Sequence, residues 1–116
     1  MATLHNPNDT VTIAPGVLIA IVRKAALSVE GVVRTSSTPG GVDRWFRRQT
    51  TDDGLRLEID DDSGVRVDVY LVVDASYNLY ETSHHVQQEV TRTIKEYAGM
   101  KVSAVNVHIE DITFNK

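Results

Sequence analysis

The ten residues VRVDVYLVVD, 65–74, constrain the fold more than any other stretch of the chain. Val65, Val67, Val69, Leu71 and Val73 fall on one side of an extended backbone, and Arg66, Asp68, Tyr70 and Val72 on the other. A period of two marks a strand with one buried face. Such a strand requires neighbours along its edges and an apolar layer across its inner face. LRLEI (55–59) repeats the pattern, with Leu55, Leu57 and Ile59 inward. AVNVHIEDI (104–112) repeats it again, with Val105, Val107 and Ile109 inward and Asn106, His108 and Glu110 outward. The inward register of this last strand changes from even to odd numbers near Ser103–Ala104, which predicts a break there. VVRT (32–35) reads as a short strand, and TVTIAP (10–15) alternates through Val11 and Ile13 and reads as the first strand.

Between these segments the period changes to that of a helix. Pro15 suits a first helical turn, where its missing N–H costs nothing. Val17, Leu18, Ile21, Val22, Ala25 and Val29 then give an i, i+3, i+4 stripe that runs to about Glu30, with Gly31 as the stop. Asn78 and Glu81 have capping-box spacing at the head of a second helix. Its stripe is Leu79, Val86, Val90, Ile94 and Tyr97, and Gly99 closes it. DDDSG (60–64) reads as a hairpin turn. The main loop is 36–54, in which VDRWFRR (42–48) forms at most two helical turns, and the polar residues 1–9 are expected to be flexible. The predicted order is β-α-β-β-β-α-β. Helices and long strands each have one apolar face, so the fold class is α+β: a two-layer sandwich with one mixed sheet and both helices on one face of it. Residues 10–114 are expected to form a single domain, as the length of 116 suggests.

Several functions are disfavoured at this level. With no cysteine there is no disulfide framework, thiolate zinc site or cysteine nucleophile. The net charge of −4 weighs against general nucleic-acid binding. The N-terminus has no signal-peptide pattern, and VLIAIV (17–22) is too short to span a bilayer, so a soluble protein is expected. DDDSG fails as a calcium loop, because Gly64 stands where the third ligand belongs and Leu71 where the last carboxylate belongs. His84 and His85 are helical neighbours pointing about 100° apart, and no H-E-x-x-H occurs, so a solvated face outweighs a metal site. No G-x-S-x-G or glycine-rich phosphate loop is present, and paired carboxylates occur only in turns. Neither an active site, nor a cofactor or metal, nor a small-molecule substrate is expected.

Two features point instead to binding. Arg44, Trp45, Phe46, Arg47 and Arg48 combine the residue types enriched at interface hot spots. The plainer reading is that Trp45 and Phe46 close one end of the core with the arginines outside. The outward row of the sheet, with Tyr70, Asn106 and His108, is a docking face or a simply solvated one. Edge strands offer a third route, pairing between copies. The alternative to a scaffold is a small nucleic-acid-binding module using the Arg44–Arg48 segment with Arg56 or Arg66, against which the acidic balance counts.

VTIAP leading into an apolar helix, ALSVEGV (26–32), VRVDVYLVV, and the run from His84 to Ile112 stand in a recognisable order. Together they resemble the alkaline-shock-protein family, also called the YloU-like or envelope stress response family, over about residues 10–112. VEGV and VSAVNVHIEDI carry most of the likeness. The resemblance implies a small bacterial α+β protein without known enzymatic chemistry, which self-associates in the cytoplasm. In some members a membrane-embedded partner holds the protein at the inner face of the membrane. Gly16 stands where the family commonly has an acidic residue, and Tyr80 where it commonly has Pro; both bear on helix starts.

Overall fold

A computed structural model describes residues 10–36, 49–52, 54–60 and 64–114, with main chain only for 49–52. Helix α1 spans Pro15–Leu27, strand β1 Val32–Thr35, β2 Gln49–Asp52, β3 Leu55–Ile59 and β4 Val65–Asp74. Helix α2 spans Leu79–Thr93, runs into a π-turn over Ile94–Ala98, and is followed by β5, Val102–Thr113.

β4 is the centre of a mixed five-stranded sheet. β5 lies parallel along its whole length, from Val65 opposite Val102 to Asp74 opposite Thr113. The other edge is shared end to end. β3 pairs antiparallel with Val65–Val69, and β1 pairs antiparallel with Val73–Leu71. The two meet at Tyr70, whose N–H donates to Gly54 O at 2.8 Å and whose carbonyl accepts from Ser36 N at 2.7 Å. β2 extends the sheet beyond β3. The predicted inner row of β4 is fully buried under both helices: Leu18, Val22 and Ala26 of α1 and Val86, Val90 and Ile94 join Val65, Val67, Val69, Leu71 and Val73 in one core. The α+β sandwich with both helices on one face is therefore the observed fold.

The strand inventory differs in one place. Residues 10–14 have no regular structure, and Val11 is 86% exposed. A strand needs a free edge within reach, and both edges of β4, the strand at the centre of the sheet, are occupied by other segments. β2 takes up the count instead, beside the strand next in sequence: Asp52 pairs directly with Leu55. The element order is thus α-β-β-β-β-α-β.

α1 stops at Leu27, three residues before the predicted end, where the Ser28 hydroxyl donates to Ala25 O at 2.7 Å and takes over a terminal carbonyl. Its buried face is Leu18, Ile19, Val22, Ala25 and Ala26, while Val17 is half exposed. PGVLIAIVRKAAL is apolar on nearly every side, so its periodicity selects no single face.

α2 begins as its sequence predicts: Asn78 Oδ1 accepts from Glu81 N at 2.9 Å. Asn78→Ala is expected to cost about 1 kcal/mol, read as a lower midpoint in urea denaturation. The π-turn inserts an extra residue in the final turn. Tyr97 is thereby carried off the apolar stripe, and it is 70% exposed where burial is expected. Gly99 ends the helix in the left-handed conformation, φ 66°.

β5 carries two bulges. Ser103 is the extra residue of the first, where the sequence places a break. Glu110 is the extra residue of the second, between Ile109 opposite Leu71 and Asp111 opposite Val72. Beyond it, Ile112 rather than Asp111 shares the inner register. Between β3 and β4, Asp60 Oδ1 accepts from Gly64 N at 2.7 Å, and Asp60 Oδ2 accepts from Ser103 Oγ at 2.5 Å.

Candidate interaction surface

The parallel pairing of β4 with β5 sets Asp68 beside Asn106 and Tyr70 beside His108 on the face away from the helices. Asp68 Oδ1 accepts from Asn106 Nδ2 at 3.2 Å and shares a 3.0 Å hydrogen bond with His108 Nε2. The His108 ring stacks on Tyr70 with centroids 4.5 Å apart and planes 13° apart. Three predicted binding residues, Tyr70, Asn106 and His108, are thus brought together. Asp68 organises them. The sequence places it on this face but gives no sign of its role, because its neighbours are known only once β5 is placed beside β4. The other predicted binding residues, Arg44, Trp45, Phe46, Arg47 and Arg48, lie outside the described residues.

The open face expected around Tyr70 and Val72 needs correction. Tyr70 is only 7% exposed and Val72 1%. The stacked imidazole covers the Tyr70 ring, so Asn106 and His108 are what this part of the sheet offers to a partner. A carboxylate holding an imidazole is also the orienting half of an acid–base pair, but conversion needs a substrate pocket and a group to react. Among the described residues no group of three or more His, Cys, Asp or Glu side chains is placed to hold a metal ion.

On the helix side, α1 and α2 border an open groove of about 220 Å³ with Ile21, Ala25, Ser28, Thr93 and Tyr97 in its lining. At its rim Arg92 is held between Glu89, at 2.5 Å, and Glu96, at 2.7 Å. The hydrogen bond from Arg92 holds the Glu89 carboxyl below its ordinary range. His84 packs edge-on against Tyr80, while His85 lines a separate depression with Glu30 and Gln88. The two histidines diverge, as adjacent helical positions should.

The outer edge of β5 follows from the ladder. Both main-chain groups of Tyr70 face β3 and β1, so the odd-numbered residues of β4 face β5, as Val65 N donating to Lys101 O at 2.8 Å illustrates. In a parallel ladder each of these bonds the residues flanking its partner. Val67 and Val69, opposite Val105 and Val107, therefore bond to Ala104, Asn106 and His108. The main-chain groups of Val105, Val107 and Ile109 point away from β4. Gln87 Nε2 of α2 donates to Val105 O at 3.2 Å. Along the rest of this edge, between the two bulges, no strand lies among the described residues.

The model of the alkaline shock protein 23 family, with a cell envelope-related function, matches residues 3–114. The chain belongs to this family. An uncharacterised member of the curated proteins, Spy1535 of Streptococcus pyogenes, is 27% identical over 106 residues, covering 91% of this chain and 81% of that one. The uncharacterised YloU of Bacillus subtilis is 22% identical over 112 residues, covering 94% of this chain and 92% of its own. Among solved structures, a MamM variant superposes with a TM-score of 0.47 at 16% identity, over 86% of this chain and 96% of that one. The family resemblance read from VEGV and VSAVNVHIEDI is thereby met. Among the described residues of this alkaline-shock-family chain, no helix is long and apolar enough to cross a membrane.

Proposed function

We propose that the chain is a non-enzymatic scaffold of the cell envelope stress response, which self-associates and binds a protein partner. On this reading it works in the cytoplasm, next to the membrane, where a membrane-embedded protein holds it. Family membership supports the envelope link. The observation that carries self-association is the twelve-residue β5, which among the described residues pairs with a strand along one edge only. An uncovered strand edge is a template for another strand. Asn106 and His108, fixed by Asp68 and Tyr70, are the proposed partner contacts on the sheet, and the Arg44–Arg48 segment a second set.

Light scattering over a concentration series tests the reading. The expected mass exceeds the 12.9 kDa of one chain and rises with concentration. A mass fixed at one chain throughout would sink it.

A further inference from the structure

We infer that residues 10–14 of one copy are the strand that pairs with the β5 edge of a second copy. This rests on the self-association proposed above and names the segment and the edge that carry it.

Among its described residues each copy holds both halves of an unmade strand pair. TVTIA has the alternation of a strand, and the backbone leaves it without a ladder, with Val11 86% and Ile13 37% exposed. Ala14, which ends it, is in the extended conformation at φ −64° and ψ 142°. The β5 edge offers the complement: the outward N–H groups of Val105, Val107 and Ile109 and the outward carbonyls of the last two. The segment and the edge have the same length, five residues each, counting 10–14 and 105–109.

The side chains agree as well. Val105, Val107 and Ile109 pack on the core but remain only partly buried, so the inner layer is incomplete at this edge. In a paired strand Val11 and Ile13 extend that apolar row, and Thr10 and Thr12 fall on the polar face with Asn106 and His108.

The arm is misplaced for the edge of its own chain. α1 lies over β1 and β3 and packs beside α2, and α2 lies over β5. Packed helices stand ~8–10 Å apart. Ile13 is two residues from Pro15 and reaches ~7 Å from it at full extension. Ile13 therefore cannot pass α2 to pair with its own β5 edge. A second copy meets no such limit. Two copies exchanging arms about a twofold axis satisfy both edges at once; exchange without closure gives a chain of copies.

Two variants and their mixture test the inference by light scattering. Val11→Asp with Ile13→Asp spoils the arm at exposed positions, so the fold of each copy is retained. Val107→Pro removes an outward N–H without breaking the ladder to β4, and its circular dichroism melt checks that the fold survives. Each variant alone is expected to associate at least tenfold more weakly than the natural chain. Mixed, they are expected to form a heterodimer, because the first supplies an intact edge and the second an intact arm. An arm variant that keeps the natural oligomeric mass overturns the inference and leaves self-association standing through another surface. A natural chain that stays monomeric overturns both.

Discussion

Replacing Gly54 with alanine is expected to lower stability by about 3 kcal/mol, a change visible as a large fall in the urea midpoint. Gly54 sits at the seam where β1 and β3 meet along one edge of β4, with φ 78°. The left-handed conformation costs alanine about 1–2 kcal/mol. The added Cβ also falls 2.3 Å from Ser36 O and 2.5 Å from Thr35 Cβ, so the main chain itself must move. Movement there loosens the Gly54–Tyr70 and Tyr70–Ser36 hydrogen bonds, each worth about 1 kcal/mol. Gly99→Ala is the control. Gly99 also has positive φ, 66°, but nothing lies within 4 Å of its Cβ position, so only the conformational cost of about 1–2 kcal/mol applies. Equal losses for the two variants would mean that the seam is not tight.

What the chain reveals in advance depends on how far each signal reaches along the sequence. The inner row of β4, the Asn78 cap and the register break at Ser103 are local patterns, and each is found where the residues put it. Two further local signals exist for features that differ from expectation. DG at 53–54, flanked by QTTD and LRLEI, is a hairpin signal that marks β2. The step of three from Ile109 to Ile112, where alternation requires two, marks the bulge at Glu110. Other features depend on distant contacts. The buried face of α1 is chosen by the sheet and α2, because its own sequence is apolar on nearly every side. The extended segment 10–14 reads as a strand in isolation but has no partner within the described chain. Asp68 gains its role from Asn106 and His108, nearly forty residues away, and only the parallel β4–β5 pairing makes them neighbours.

Leu71→Ala is expected to cost about 3 kcal/mol, out of the 5–15 kcal/mol typical of a whole domain. Leu71 is fully buried and pairs with Thr35 of β1 on one side and Ile109 of β5 on the other. Its side chain faces the helix layer, where close packing on every side leaves little room for neighbours to collapse into the space. The variant should fold at room temperature but melt well below the natural chain, and a folded state only slightly perturbed would place Leu71 at the margin of the core. Val17→Ala on α1 provides the comparison. Val17 belongs to the predicted stripe yet is half exposed, so its truncation should change stability by no more than about 0.5 kcal/mol. A loss at Val17 approaching that at Leu71 would rotate α1 back onto the face its sequence stripe suggests. The expected contrast places the helix as the structure does, with Leu18, Val22 and Ala25 inward and Val17 outward.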